Sequence, residues 1–216
     1  MDGTDADAEG GAAALTVYSD YVCPFCYLGR ASLARYQETR DEQLRIEWHP
    51  FDLRSQRRRP DGSIDHSAAD GKDDDYFAEA RRNVRRLAER YDVEMALDIA
   101  REVDSLPAQV VSYHLQRHHD YDTWLAFDEA AFAALWEAGR DIGETDLLVE
   151  LAVDAGAGAD EVRSALADEP LREELRQRFA EARRHGVTGV PTFAYDGHAA
   201  RGAVPPEQLR RLVEGG

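Results

Sequence analysis

The residues of this chain best suited to covalent chemistry are Cys23 and Cys26, its only two cysteines. They stand in the run Cys23-Pro24-Phe25-Cys26. A cysteine pair at this spacing can attack a disulfide, hold a mixed disulfide and resolve it. Two cysteines are too few to staple a chain of 216 residues. Two other readings stay open for the pair: buried structural thiols, or half of a zinc site that lacks two further ligands. Of the seven histidines only His114, His118 and His119 cluster. They are followed by Asp120 and lack a His-Glu-x-x-His pattern, so they read as the polar end of a helix, and neither a metal nor a cofactor is expected.

Such a pair works only if the fold places it well. Leu15, Thr16, Val17 and Tyr18 read as a short strand. Pro24 suits the first turn of a helix, and Leu28, Ala31, Leu33, Ala34 and Tyr36 recur at roughly helical spacing. Cys23 then falls at a strand-to-helix junction. There the free backbone N–H groups and the helix dipole favour an anion, an environment that activates thiols. Cys23 is therefore the expected attacking thiolate. Cys26, one turn on, is the expected resolving thiol.

Further along, Leu44, Ile46 and Trp48 alternate with Arg45, Glu47 and His49. This predicts a strand through Phe51 with one apolar and one polar face, with Pro50 at its end or at a sheet edge. Strand, helix and strand make one βαβ unit with a parallel pair. From Leu53 to Asp75 the chain is polar and reads as a long loop. Its Arg57-Arg58-Arg59 run could grip an anionic substrate, but it reads first as a solvated stretch offsetting local acid. Helices are predicted at about Tyr76–Tyr91, Pro107–His118, Tyr121–Ile142, Glu144–Ala155, Ala159–Asp168 and Glu169–His185, with glycines near the ends and prolines near the starts. Phe127, Ala131, Ala134, Leu135 and Ala138 make an apolar stripe, and Trp124, Phe132 and Trp136 read as core. Val187 to Tyr195 is a loop running into a strand. Asp196-Gly197 is a hairpin turn signal, His198 to Ala203 the partner strand, and Pro205-Pro206 the opening of a last helix.

Composition narrows the partners. The net charge is −17, from 43 acidic and 26 basic residues. Nucleic acid is excluded as a partner because phosphate binding needs a basic surface. Lys72 is the only lysine. Abundant acid with almost no lysine matches halophilic cytosolic proteins; a GC-rich genome is the other source of such a bias. No apolar run is long enough to span a membrane. Met1 to Ala14 lacks the pattern of a secretory signal and reads as a disordered acidic tail of a cytoplasmic protein.

With these elements placed, the chain resembles the thioredoxin superfamily and, within it, the DsbA-like group. The resemblance rests on Cys23-Pro24-Phe25-Cys26, on a helical block set between βαβ and ββα, and on Gly186-Val187-Thr188-Gly189-Val190-Pro191-Thr192-Phe193, which is similar to the family's cis-proline loop. Ser19 to Gly29, together with Gly202-Ala203 and Pro206-Glu207, resemble the FrnE-like branch. The resemblance implies an α/β thioredoxin-like fold: a four-stranded mixed sheet with an all-helical insertion. Its parts would be a tail at 1–14, a βαβ part at 15–58, a loop and helical insertion at 59–185 and a ββα part at 186–216.

The same resemblance implies a thiol–disulfide oxidoreductase with Cys23 and Cys26 as catalytic residues. Pro24, Phe25, Val190 and Pro191 would bind substrate, with Val190 free to pair with an extended chain. Protein or small-molecule thiols and disulfides are the implied partners, glutathione among them; neither nucleic acid nor a membrane is. The oligomeric state is not legible. An ordinary trans proline at 191 is the plain alternative. Two departures stand out. Many relatives carry an acid six residues before the first cysteine, where this chain has Val17, which leaves Asp20 or water to take the proton. The dipeptide between the cysteines is Pro-Phe, without the histidine of strongly oxidising relatives. Alternatives on the same fold are a glutathione-dependent isomerase or transferase, like the 2-hydroxychromene-2-carboxylate isomerases, which typically use serine near the first cysteine position, and a chaperone-like binding module.

Overall fold

Strand β1 (Leu15–Ser19) is the hub of the sheet. It pairs parallel with β2 (Ile46–Pro50) and antiparallel with β3 (Thr192–Tyr195), so that Val17 faces Trp48 on one side and Phe193 on the other. β4 (His198–Arg201) completes the order β2-β1-β3-β4. Val17, Trp48 and Phe193 are all buried, as the alternation of β-formers requires when a sheet is covered on its faces. The computed structural model describes residues 14–59, 61–65, 67–68, 71, 73–97 and 100–215. The expected tail, Lys72 and Pro60 lie outside those residues or, at the tail, almost wholly so.

The first helix, α1 (Pro24–Gln37), links β1 to β2, and the last, α8 (Pro206–Glu214), packs beside it. Ser32 in α1 donates to the Val204 carbonyl at 2.6 Å and ties the two ends of the chain together. The Asp196-Gly197 turn has φ of 45° and 76°. Both central residues are left-handed, which the favoured hairpin turn needs and which this dipeptide supplies.

Among the described residues six α-helices lie between β2 and β3: α2 (Asp74–Arg90), α3 (Leu106–His118), α4 (Tyr121–Trp136), α5 (Thr145–Asp154), α6 (Ala159–Ala167) and α7 (Glu169–Arg184). Apart from α2, whose Val84 and Ala88 pack on Leu28 of α1, their apolar faces do not form a separate core. Trp124, Phe127, Phe132 and Trp136 belong to the same buried cluster as Leu15, Val17 and Trp48, so the insertion and the sheet stabilise each other through one continuous apolar interior.

Three expectations need correction. The helix expected to reach Ile142 stops at Trp136. Gly139 adopts φ +65°, and the Arg140 N–H closes on the Ala134 carbonyl at 2.8 Å. The six-to-one bond that closes the helix end runs from the Ala138 N–H to the Ala133 carbonyl at 3.1 Å, and Ala138 is left exposed rather than in the apolar stripe. His49, expected on an open polar face, is 4% exposed. Helix α7 covers that side of β2 and sets Glu181 3.9 Å from the ring, while Tyr18 lies against it at 4.6 Å. Burial lowers its pKa to about 4, so the ring is neutral at ordinary pH.

The third correction concerns the arginine run, which offsets local acid as expected and is exposed at Arg59, but is not solvated at Arg58. Arg58 is buried and paired with Asp52 at 2.8 Å and Asp104 at 3.0 Å. Arg57 bonds the Asp65 carbonyl at 3.3 Å, and Arg59 pairs with the Asp65 carboxylate at 3.2 Å.

Candidate active site

Cys23 caps α1. Its backbone is extended, and its sulfur accepts a hydrogen bond from the Cys26 N–H at 3.3 Å, as a good capping side chain does. Pro24 at the first helical position has no N–H to leave unsatisfied. Cys26 lies underneath, almost fully buried beside Cys23. Burial first, and then the neighbouring Cys23 sulfur, push the Cys26 thiol well above the usual range. It is a protonated thiol at neutral pH.

The opposite wall comes from the other end of the chain. The Cys23 thiol donates to the Val190 carbonyl at 3.6 Å, across 167 positions. The Val190–Pro191 peptide is cis. Thr192 fastens this loop through a 2.8 Å bond from its hydroxyl to the Gly189 carbonyl, and the Gly202 N–H holds the Pro191 carbonyl at 2.8 Å. Gly29 lets the loop come close: a Cβ there would lie 3.1 Å from both Pro191 Cγ and Phe193 Cζ. Gly29→Val is therefore expected to cost about 1–3 kcal/mol through overpacking and to shift the Pro191 loop. Denaturant melts check the first effect. Wild-type stability with unchanged thiol reactivity would contradict the close packing.

Cys23, Pro24, Phe25 and Val190 line a cavity of about 130 Å³, together with Leu53, Arg54, Tyr76, Phe77, Ala80 and Arg101. The structure thus brings four of the six residues named from the sequence to one opening. Cys26 sits behind Cys23, and Pro191 turns inward against α1. The insertion's share of the wall has no sequence signal, because the contact between α2 and the cysteine helix is set by tertiary packing. Arg54 is held in place by the carbonyls of Val103, at 2.8 Å, and Ala100. A larger groove, about 630 Å³, runs between α1 and α4 and contains neither cysteine.

Beneath the pair lies Asp20, fully buried. It accepts bonds from Ser105 Oγ at 2.5 Å, the Leu53 N–H at 2.9 Å, Gln109 Nε2 at 3.3 Å and the Val22 N–H at 3.3 Å. Burial, then the charge of Asp52, raise its pKa from 3.8 to about 6, against the pull of those donors. Its charge in turn bears on the Cys26 thiol. Ser105, Gln109 and Ser112 are all buried. They recur at spacings of four and three along an otherwise apolar helix, and that polar stripe was a signal that a buried polar site needed them. Ser112 accepts a bond from Trp124 Nε1 at 3.0 Å and its own hydroxyl proton goes to the Tyr21 oxygen at 2.8 Å, which leaves the Tyr21 proton for Asp128 at 2.9 Å, a carboxylate that Arg30 neutralises.

A sheet ordered β2-β1-β3-β4 with a Cys-x-x-Cys helix start facing a cis proline, and a helical insertion between β2 and β3, defines a thioredoxin fold of the DsbA-like class. Residues 14–214 match the family model of the DSBA-like thioredoxin domain, and the chain belongs to that family. A curated relative, YwbO of Bacillus subtilis (strain 168), is 25% identical over 200 residues, 92% of this chain and 94% of its own. Among solved structures, a probable DsbA oxidoreductase from Streptomyces coelicolor superimposes with a TM-score of 0.74 at 24% identity, covering 92% of this chain and 87% of that one. The cytosolic disulfide reductase DsbM from Pseudomonas aeruginosa, solved with GSH, gives 0.62 at 22% identity, with 92% of each chain covered. No helix among the described residues is long and apolar enough to cross a membrane.

Proposed function

We propose that this protein is a thiol–disulfide oxidoreductase that exchanges disulfides with protein or small-molecule thiols through Cys23 and Cys26. The observation that carries this reading is the pairing of two unlike thiols: Cys23 on the helix cap, facing the open cavity and the Val190 carbonyl, and Cys26 buried behind it as a protonated reserve. In the reducing direction the Cys23 thiolate attacks a substrate disulfide. One sulfur leaves as a thiolate and the other stays bound to Cys23. Cys26 gives up its proton and attacks the Cys23 sulfur, the second substrate thiolate departs, and a Cys23–Cys26 disulfide remains. The two electrons have passed to the substrate, and a small thiol such as glutathione returns them. Run backwards, the same steps oxidise a dithiol.

Val190 offers backbone polar groups for an extended substrate, in the manner of strand addition, and Pro24 and Phe25 form the apolar lip. A thiol at position 23, where the isomerases of this fold typically have serine, favours redox exchange over isomerisation. The FrnE-like signature around the pair and the GSH-bound cytosolic neighbour support a cytoplasmic role, and the acid-rich, lysine-poor composition supports a halophilic setting.

Asp20 supplies the base that Val17 cannot. Its carboxyl titrates at about 6, close to the value that makes an efficient proton acceptor at neutral pH. The step resolved by Cys26 is expected to speed up as pH rises through about 6, as Asp20 ionises. In Asp20→Asn that inflection should vanish, with resolution slower by roughly 10²–10⁴-fold. Stopped-flow resolution of a Cys23 mixed disulfide against pH measures it. A variant profile that overlays the wild type would remove Asp20 from the mechanism.

A further inference from the structure

Far from the cysteines along the chain, the end of α3 meets the start of α6 in a second cluster of chemically capable groups. His114 Nε2 lies 2.7 Å from Glu161 Oε1, and His119 Nε2 lies 2.8 Å from the same oxygen. The three potential ligand atoms are all within 4.8 Å of one another. We propose that His114, His119 and Glu161 bind a divalent transition-metal ion of the zinc type and that the ion clamps α3 to α6.

The donor set selects the class of ion. Two imidazoles and one carboxylate suit zinc, nickel or cobalt, whereas magnesium and calcium prefer all-oxygen shells. One carboxylate oxygen facing two ring nitrogens is the arrangement from which an ion can replace the two intervening protons. Ligands about 2.0–2.2 Å from a tetrahedral zinc lie about 3.3 Å apart, so each histidine–carboxylate pair must open by about half an ångström, a small shift for a carboxylate that is about one third exposed.

The carboxylate is otherwise held. Its second oxygen accepts the Gly158 N–H at 3.4 Å, within the cap of α6. His114 is further braced by stacking on His118, with ring centres 4.6 Å apart. The two histidine side chains are 17% and 21% exposed. They are shielded enough to be ordered and open enough for an ion to enter and for water to complete its shell.

The linear sequence hid this site because Glu161 lies 42 positions beyond His119 and joins it only when α6 folds onto α3. The Cys23–Cys26 pair can also hold zinc, so the test uses the untagged Cys23→Ser/Cys26→Ser double variant, in which no sulfur can ligate. Titration with zinc chloride is expected to show one ion per chain. Zinc at about a hundred times its Kd should raise the melting temperature by about 5–10 °C, and magnesium should leave it unchanged.

In the same background His119→Gln and Glu161→Gln should each weaken zinc binding at least about tenfold, since changes in outer-sphere partners alone already cost that much. His119→Gln keeps the size and polarity of the side chain, so the variant should fold, and a melt without metal verifies this. Absence of zinc binding by the double variant, or undiminished zinc affinity in both substituted proteins, would overturn the proposal.

Discussion

Cys23→Ser is expected to abolish disulfide exchange, a loss of several orders of magnitude of the kind that follows deletion of a nucleophile. Serine keeps the helix cap, because its hydroxyl can accept the Cys26 N–H as the sulfur does. Folding should therefore survive, and melts of the variant should stay close to wild type. Cys26→Ser should behave differently. Attack by Cys23 would proceed, resolution would not, and mixed disulfides through Cys23 should accumulate on non-reducing gels. Alkylation of the reduced protein should label Cys23, which lines the cavity, well before Cys26, which does not and whose raised pKa keeps it a thiol. Equal activity in Cys23→Ser and the wild type, or preferential labelling of Cys26, would remove the assigned roles.

The second large effect concerns stability. Arg58 stands between Asp52 and Asp104, with two guanidinium nitrogens on each carboxylate. Burial opposes its charge, but the two carboxylates outweigh that cost and hold its pKa above the ordinary value. Arg58→Ala takes the counter-charge from Asp52, which is 3% exposed in the intact protein and keeps only the Arg54 N–H bond at 2.9 Å. The expected loss is about 3–5 kcal/mol, the size found when one partner of a buried pair is removed. Asp52→Asn/Arg58→Met removes both charges and should recover a large part of that loss. Equal destabilisation in the single and double variants would show that the pair is not what holds this segment.

The same change should reach the active site. Asp52 already raises the Asp20 pKa. Without Arg58 to offset it, Asp20 should rise further and carry the activity inflection upward in pH. Asp20 also marks stability. Its folded pKa is above its unfolded value, so its contribution is fully present below about pH 3.8 and is lost as pH rises through about 6. The shift corresponds to roughly 3 kcal/mol.

Much of this molecule was legible before folding, because its signals are local. Pro24 after a β-forming run marks the helix start that places Cys23 on a cap, and Asp196-Gly197 marks a turn that needs two left-handed residues. Trp124, Phe132 and Trp136 fall in the core because large aromatics on a helix are seldom left in water. What was not legible depends on partners distant in sequence. His49 looks like a surface residue until α7 covers it. Arg58 looks solvated until Asp104, 46 positions on, closes around it. The helix through Trp136 ended early because Gly139, one residue past an apolar run, is a stronger stop than the pattern beyond it. Asp20 was visible as an acid near the pair, but its raised pKa comes from burial and from Asp52, and no spacing rule reports either.

The central claim is that Cys23 and Cys26 form a reversible redox pair, and equilibration of the protein against graded ratios of reduced and oxidised dithiothreitol tests it most directly. The account predicts one two-electron transition, with mass mapping of the oxidised form locating an intramolecular Cys23–Cys26 disulfide. Two thiols that stay reduced across the whole series, or that oxidise only between molecules, would contradict it.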